Sequence, residues 1–405
     1  MAFSLDQFFH GSGTRFLLHP QAPFLENYAE PEIVWVSSPA GSVEPGPADE
    51  RMYTLIPKNK EPYGETHQPP FSGERHPPAM PGPDGHFDHL SPGTDAFLAA
   101  HMFGSVRRVL DIWEIYAGGP MAWHFQTHYS RLEMIARLPW KNAQFGWGYC
   151  ECGEDVDDKG TMRPFALNFD VLAHEVGHSL IFSMTGLPTP EELTTDYLGF
   201  HESASDLVAI ISSLHFESFI KRLLEQTSGD LYVQNELNRI GELSRTRQIR
   251  TASNHLRVDE LEYRSKKPSE LSGHEVHELG QPMTGAFFDI AVEFFLHRLV
   301  STGAIPEENV HGMRRVEGDE PLAAYDERCC RKAYEDNPAK FEDALKDARD
   351  MLGLRLAQTW HRLRPANLTF DHVAQTFLDV DRNLTGPRHH EAIRSCFEWR
   401  GLKLT

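Results

Sequence analysis

The residues best suited to chemistry in this sequence form the run His174-Glu175-Val176-Gly177-His178. Residues four apart share one face of a helix, so the imidazoles of His174 and His178 would project side by side, with the Glu175 carboxylate next to the first. Two histidines in this arrangement, followed and preceded by apolar residues, are typical of a helix that binds catalytic zinc. Because the pattern also arises by chance, the surrounding sequence has to support it.

A catalytic zinc ion takes three protein ligands and keeps its fourth position for water, so a third ligand is needed. In the run FHESASDLVA, Glu202 lies 24 residues after His178, and Asp206 follows one helical turn later. We expect Glu202 to complete the coordination and Asp206 to accept a hydrogen bond from the outer ring N–H of a ligating histidine. The alternative is a solvated acidic face. The succession of two helices, the second opening with this acid pair and then turning apolar, favours zinc.

The elements that must position these residues change type along the chain. Helical spacing of apolar residues predicts a helix that is capped by Thr94 or Ser91 and ended by Gly118 and Gly119. Alternation predicts two strands, in the runs AWHFQTHY and NAQFGWGYC, ahead of the zinc motif. From Asn168 onward the pattern is mostly helical. We therefore expect an α+β fold, with a mixed β-sheet lobe that carries the active-site helix and a mainly helical C-terminal lobe.

The composition of the first part of the chain differs from the rest. Residues 38–92 are dense in proline and glycine, which disfavours a regular helix and favours an extended arm or a loop-rich layer. We expect three segments: a proline- and glycine-rich arm or layer over residues 1–93, the lobe with the HEVGH helix over residues 94–187, and the helical C-terminal lobe over residues 188–405.

Charge and hydropathy exclude two classes of partner. The 405 residues include 39 Lys plus Arg against 59 Asp plus Glu, a formal net charge of −20. No run of basic residues interleaved with aromatics offers a track for phosphates, so we expect no nucleic-acid partner. The sequence lacks a long apolar window and a signal-peptide pattern, so we expect a soluble, cytoplasmic protein with no membrane partner. Nothing in the sequence indicates an oligomeric state.

Five cysteines without regular spacing are not the framework of a disulfide-stapled secreted domain. Cys150 and Cys152 lie two apart on a predicted strand, which leaves a metal or redox role open as an alternative. A zinc site of that kind needs a second ligand pair at similar spacing, and the sequence has none. We favour structural thiols.

The runs DVLAHEVGH and HESASDLV together resemble the thermolysin-like zinc metallopeptidases, the gluzincin subgroup of zincins whose third ligand is a glutamate. The resemblance implies a zincin fold, a zinc cofactor and hydrolysis of peptide bonds. It also implies that Asn142 and Ala143, in KNAQFGWG, lie on an edge strand that pairs with the substrate backbone. By the same resemblance, Arg250 in IRTASN contacts the substrate and His277 in HELGQPMTG lies near the zinc. The apolar run that begins at GAFFDI predicts a buried helix, which would place both His277 and the alternative, His274, in the loop ahead of it. We prefer His277 because it lies closer to the turn that leads into this helix.

Two features depart from these relatives. They are usually secreted with a removable pro-segment, whereas this sequence shows no signal peptide. They also bind calcium, whereas Ser212 and Ser213 stand where a calcium-binding acid would be expected. The resemblance therefore does not carry calcium binding or an extracellular digestive role over to this chain.

The sequence predicts a zinc metallopeptidase that acts on a peptide or a peptide-like small-molecule substrate. Glu175 would take the proton of the attacking water, and His277, with Tyr197 as a second donor, would stabilise the oxyanion. The alternative is a non-proteolytic zinc hydrolase or biosynthetic enzyme on the same scaffold, acting on a small molecule. A binding protein without turnover is disfavoured, because such a protein could lose Glu175 freely.

Overall fold

The computed structural model describes residues 3–25, 28–64, 67–157, 159–233, 235–240, 250–307 and 327–405. These residues form two compact units. The N-terminal unit is built mainly from Ser4–Ser183, and the C-terminal unit mainly from Met184–Ile240 and Ile249–Thr405. The division falls near the end of the helix that carries the HEVGH motif.

The N-terminal unit mixes short strands with helices. In chain order its elements are α1 (Leu5–Phe9), β1 (Gly13–Leu18), β2 (Glu32–Pro39), β3 (Met52–Leu55), α2 (Asp95–Ala117), β4 (Leu132–Ile135), β5 (Ala143–Gly146), β6 (Tyr149–Cys152), β7 (Glu154–Val156), β8 (Met162–Pro164) and α3 (Phe169–Thr185). β1 pairs with β2, and β7 with β8, each as an antiparallel ribbon. The central sheet has four strands in the order β3-β4-β6-β5.

The central sheet is mixed, and one of its edges is antiparallel. β3, β4 and β6 run parallel, whereas β5 runs antiparallel to β6, with Ala143 opposite Cys152 and Phe145 opposite Cys150. Within the described part of the chain, β5 is paired on one side only. An edge strand presents a row of backbone N–H and C=O groups that a further extended chain can pair with.

The first long helix, α2, is the centre of the N-terminal core. Thr94 Oγ1 accepts a hydrogen bond from the backbone N–H of Phe97 at 3.1 Å, and Gly118, with φ of +82°, ends the helix. Both caps follow the sequence prediction. Residues 97–113 are buried without interruption, as expected of a helix that crosses a core rather than lying on its surface.

One of the two predicted strands is wrong. Residues 124–128, inside AWHFQTHY, form consecutive turns. The alternating aromatics that suggested a strand instead place Trp123 and Phe125 together in the core, stacked with their ring centroids 5.5 Å apart. The second predicted strand, NAQFGWGYC, is confirmed as the β5–β6 hairpin. The strand beside β6 is β4, whose four residues are all buried, as is usual in parallel sheets covered on both faces.

Helices dominate the C-terminal unit, as predicted. Its elements are α4 (Thr195–Ser213), α5 (Glu217–Thr227), β9 (Arg239–Ile240), β10 (Arg250–Thr251), α6 (Gly273–Ser301), α7 (Glu327–Asp336), α8 (Pro338–Arg362), α9 (Phe370–Thr385) and α10 (His390–Trp399). The central helix is α6, which packs against α4, α8 and α10. The chain therefore has the expected α+β class, with a sheet-containing first part and a helical remainder. Of the helices described, none is both long and apolar enough to cross a bilayer.

Candidate metal centre

Helix α3 presents the two motif histidines as the sequence predicts. The ring centroids of His174 and His178 lie 4.8 Å apart, and the ring planes are nearly perpendicular at 86°. The side of the helix that carries them is largely covered, since His174 is buried and His178 half-buried. Two imidazoles one helical turn apart on the same face can direct a nitrogen each to one ion.

The start of α3 is fixed by a buried histidine of α2. His101 Nδ1 lies 2.8 Å from the carbonyl of Ala166, in the short 3-10 turn directly ahead of α3. His101 Nε2 accepts a hydrogen bond from the backbone N–H of His19 at 3.0 Å, so Nδ1 carries the proton and donates to Ala166. Burial, together with the neighbouring His19, lowers the pKa of His101 to about 3. The ring is therefore neutral near pH 7 and acts as a structural link.

Glu175 is half-buried in the same helix, and the thiols of β6 lie near it. Cys150 and Cys152 are both free and fully buried. A hydrogen bond with Cys152, burial and nearby negative charges that include Glu175 raise the pKa of the Cys150 thiol well above its ordinary value. A thiol that stays protonated is a poor nucleophile. This favours structural thiols over the redox alternative.

Helix α4 holds the two predicted acids. It begins after Thr194, whose hydroxyl accepts a hydrogen bond from the backbone N–H of Tyr197 at 3.0 Å. Glu202 keeps 13% of its side chain exposed, whereas Asp206 is 1% exposed overall. The hydroxyl of Thr284 in α6 lies 3.5 Å from Asp206 Oδ2. The role expected of Asp206, orienting a ligating histidine, stays a prediction.

His277 lies in a helix rather than in the expected loop. The capping box formed by Ser272 and Glu275 starts α6 at Gly273, twelve residues before the predicted start at GAFFDI. The sequence prediction is wrong here because that capping signal was not recognised. His277 therefore sits in the second turn of α6, and its Nε2 lies 3.1 Å from Glu202 Oε2.

The neighbouring histidine has a different environment. The His274 side chain is 82% exposed and lies 3.7 Å from Glu278, an acid of its own helix, whereas the His277 side chain is 39% exposed. Of the two histidines, His277 is therefore the one that contacts Glu202, and its role as oxyanion donor stays a prediction.

Two glycines bring α4 and α6 close enough for the Glu202–His277 contact. A Cβ atom on Gly280 would lie 2.9 Å from the carbonyl oxygen of Gly199 and 3.1 Å from Glu202 Cβ. A Cβ on Gly199 would lie 3.0 Å from Leu279 Cβ. All three distances are shorter than ordinary side-chain packing allows, so the helix backbones can approach this closely only where both residues lack a side chain.

Tyr197 is not available as the second oxyanion donor. Its side chain is buried, and its hydroxyl donates a hydrogen bond to the carbonyl of Gly186 at 2.8 Å. Burial raises the pKa of this phenol above its ordinary value. The hydroxyl serves to fasten the start of α4 to the chain segment that follows α3.

The residues expected to contact substrate are placed as follows. Asn142 and Ala143 stand at the start of the edge strand β5, and the Asn142 carbonyl accepts a hydrogen bond from the backbone N–H of Gly153 at 2.8 Å. Arg250 is the first residue of β10, and its side chain lies outside the described part of the structure. The substrate-binding roles of all three stay predictions.

One residue without a predicted role lies beside α3. His124 Nδ1 is 3.0 Å from the hydroxyl of Ser179, the residue after His178. The same ring contacts Trp147, with centroids 4.8 Å apart, and Phe182 of α3, at 5.0 Å. Sequence reasoning missed it because the surrounding run was interpreted as a strand, where His124 would face away from Trp123 and Phe125.

Side chains of the types that ligate metal ions occur in each unit. In the N-terminal unit they are His174 and His178 of α3. In the C-terminal unit, Glu202 of α4 and His277 of α6 lie in contact. Imidazole nitrogens combined with a carboxylate are the ligands of catalytic zinc, so the chemistry of these residues fits that metal.

Comparisons with known proteins support the fold. No family model and no curated protein sequence matches this chain. Among solved structures, the chain is similar to the precursor of protealysin, a metalloproteinase from Serratia proteamaculans, with a TM-score of 0.50 and 12% sequence identity. The alignment covers 87% of this chain and 88% of that one. The likeness shows the fold, which is consistent with the thermolysin-like fold implied by the sequence motifs.

Proposed function

We propose that this protein is a zinc-dependent metallopeptidase in which His174, His178 and Glu202 hold the metal. The observation that carries the proposal is the pair of imidazoles on one face of α3, 4.8 Å apart, with Glu175 beside them. The fold likeness to a metalloproteinase adds support at the level of the scaffold. The proposal includes the cytoplasmic location expected from the sequence.

Bound zinc would polarise the scissile carbonyl and acidify the attacking water. Glu175 accepts the proton of the attacking water and passes it to the leaving amine. Its carboxylate is half-buried, so it is accessible for this role. Asp206 is buried next to the hydroxyl of Thr284 and orients a ligand through its second oxygen. His277 donates from its ring N–H to the developing oxyanion.

The substrate in this proposal is a peptide in extended conformation. β5 offers an open strand edge that begins at Ala143, and an extended peptide can add to such an edge through backbone hydrogen bonds. The exposed side chain of Asn142 and the guanidinium of Arg250 are the further contacts proposed for the substrate. Recognition through backbone groups makes a peptide, or a small molecule that resembles one, the fitting substrate class.

The function is tested with zinc-loaded full-length protein, a peptide library and fluorescein-labelled casein. Mass spectrometry should find new peptide termini with the wild-type protein and none with Glu175→Gln or after treatment with 1,10-phenanthroline. If the wild-type protein holds zinc but cleaves neither the library nor casein, the peptidase proposal fails, and a small-molecule zinc enzyme on this scaffold takes its place.

The identity of the second imidazole ligand is tested separately, because His277 contacts Glu202. We expect His178→Ala to lose zinc and His277→Ala to keep it. Zinc content measured by inductively coupled plasma mass spectrometry after dialysis decides between them. The reverse result would make His277 a ligand and remove it from the role of oxyanion donor.

A further inference from the structure

The proline- and glycine-rich region contains a closed loop, here named the strap, which comprises residues 57–75; residues 65–66 of it are not described. The backbone N–H of Lys58 donates to the carbonyl of Glu74 at 2.9 Å, and that of His76 donates to Ile56 at 2.9 Å. Pro57 and Arg75 therefore stand opposite each other at the foot of the strap. The loop begins two residues after β3 ends, so it starts at the central sheet.

The strap covers one face of the central sheet. Tyr63 and Phe71 of the strap pack into a cluster with side chains from β3, β4, β6 and the residues after β4, namely Leu55, Ile135, Leu138 and Tyr149. Tyr63 and Tyr149 lie with their ring centroids 4.8 Å apart. Cys150 and Cys152 lie on the opposite face of the sheet, because successive side chains of a strand point to opposite faces. The strap is therefore a packed layer of the unit.

Two buried carboxylates of the sheet bind the strap in place. Glu133 of β4, 1% exposed, accepts hydrogen bonds from the hydroxyls of Tyr53, at 2.6 Å, and of Tyr63, and from the backbone N–H of Phe71 at 2.9 Å. Glu151 of β6 is fully buried. A buried carboxylate is costly unless its oxygens are satisfied, so both residues depend on their strap partners.

The second carboxylate links the strap to the edge strand. Glu151 forms an ion pair with Lys60 Nζ and accepts a hydrogen bond from the backbone N–H of Tyr63 at 2.8 Å. It accepts a second hydrogen bond from Gln144 Nε2 at 2.7 Å, and the same Gln144 amide donates to the Tyr63 carbonyl at 3.2 Å. Gln144 is the second residue of β5. One side chain of the edge strand is therefore held by both the sheet and the strap.

Gly146, the other β5 residue on the face that the strap covers, is covered as well. A Cβ on Gly146 would lie 2.1 Å from Cζ of Tyr149, so this position is limited to glycine because the tyrosine ring lies directly over it. Tyr149 is in turn the ring against which Tyr63 packs. The two β5 residues on the strap side of the sheet are thus both linked to the strap. Gln144 contacts Tyr63 directly, and Gly146 is covered by Tyr149, which packs against Tyr63.

We propose that Lys60, Tyr63 and Gln144 are positioning residues that hold β5 in the extended register needed to bind the backbone of a peptide substrate. This inference rests on the proposed function. An edge strand lacks partners on one side and opens more readily than a central strand, which lowers affinity for any chain that must pair with it. The strap offsets this tendency to open, because it holds β5 through the side chains on the face that the strap covers and leaves the pairing edge open.

The test compares variants of the full-length protein by amide hydrogen exchange and by kinetics on fluorescein-labelled casein. Gln144→Leu removes the link and keeps the side-chain size, and Lys60→Met removes the charge that faces Glu151. Lys58→Met is the matched control, because Lys58 lies in the same strap, is 48% exposed and pairs with Glu74 at the surface.

We expect Gln144→Leu to speed exchange of the β5 amides about tenfold, with the amides of α2 unaffected, and to leave zinc content unchanged. On casein, KM should rise about tenfold with kcat within about twofold, since binding is weakened in substrate and transition state alike. Lys60→Met should act in the same direction if it folds, and Lys58→Met should match the wild type.

Exchange rates at β5 that equal those of the wild type in Gln144→Leu would overturn the inference, as would a fall in kcat at unchanged KM. The exchange measurement needs no substrate. If the wild-type protein cleaves no peptide but β5 loosens in the variant, the proposed function fails while the structural link between strap and strand stands.

Discussion

Two pairs of candidate metal-site residues differ in how the fold brings them together. His174 and His178 are neighbours because they are four apart on α3, and their rings lie 4.8 Å from each other. Glu202 and His277 come from α4 and α6 and meet at 3.1 Å where two helices cross. The first pair depends on helix periodicity, whereas the second depends on tertiary packing. Changes to helix packing should therefore affect the second pair first.

The largest effect on activity should come from Glu175, which lies beside the His174–His178 pair on α3. Glu175→Gln keeps the shape of the side chain but removes the proton acceptor, so kcat should fall on the order of a thousandfold. Zinc content and the circular dichroism spectrum should stay as in the wild type. Casein hydrolysis at an unchanged rate in this variant would show that Glu175 is not the base.

A smaller effect on activity is expected at the Glu202–His277 pair. His277→Ala removes the proposed oxyanion donor, so kcat should fall about a hundredfold with the zinc retained. His274→Ala is the matched control one turn away on the exposed surface of α6, and it should remain close to wild type. Two near-normal variants would take the start of α6 out of the mechanism.

The contrast between the pairs also explains what the sequence could predict. The helical placement of His174, Glu175, His178, Glu202 and Asp206 follows from short-range spacing, and so do the cap at Thr94 and the end of α2 at Gly118. The predicted start of α6 is too late because the prediction rests on the apolar run and not on the capping box of Ser272 and Glu275. The contact of His277 with Glu202 could not be predicted, since it depends on the crossing of two helices far apart in sequence.

The N-terminal sheet shows the same limit of sequence reasoning. Alternation of aromatics identified the β5–β6 hairpin correctly, but the same signal in AWHFQTHY corresponds to turns that bury Trp123 and Phe125. Composition suggested a loop-rich layer for residues 38–92. It did not indicate that Tyr63 and Phe71 would cover the sheet, because Glu133 and Glu151 resemble surface acids until the sheet is assembled.

The packing origin of the second pair can be tested at the helix crossing. Gly280→Ala places a methyl group against the α4 backbone, so we expect a loss of about 1–3 kcal/mol in the free energy of unfolding and about tenfold weaker zinc binding. Urea denaturation and zinc titration measure both. Gly273→Ala is the control on the same helix, because a Cβ there meets no atom within 4 Å. Equal behaviour of the two variants would contradict the role given to the crossing.

The last prediction concerns pH and compares one buried histidine in each unit. The pKa of His101 is lowered to about 3 chiefly by burial, and that of His389 to about 4 by burial and the neighbouring His297. Each binds its proton more readily when unfolded, so stability should fall as pH drops from about 6.5 towards these values. For His101 the slope is at most about 1.4 kcal/mol per pH unit.

Urea midpoints of the wild type at pH 7 and pH 5 measure this loss. His101→Gln and His389→Gln should each reduce the difference between the two pH values, because the substituted residue no longer takes up a proton. An unchanged pH dependence in both variants would exclude these histidines as its source.

The most direct test of the account is the zinc stoichiometry of the purified full-length protein and of four alanine variants after dialysis against zinc-free buffer. We expect about one zinc ion per chain in the wild type and in His274→Ala, and a loss of zinc in His174→Ala, His178→Ala and Glu202→Ala, because three protein ligands are the set for catalytic zinc. A wild-type protein that binds no zinc after incubation with the metal, or a Glu202→Ala variant that keeps a full equivalent, would contradict the proposed metal centre.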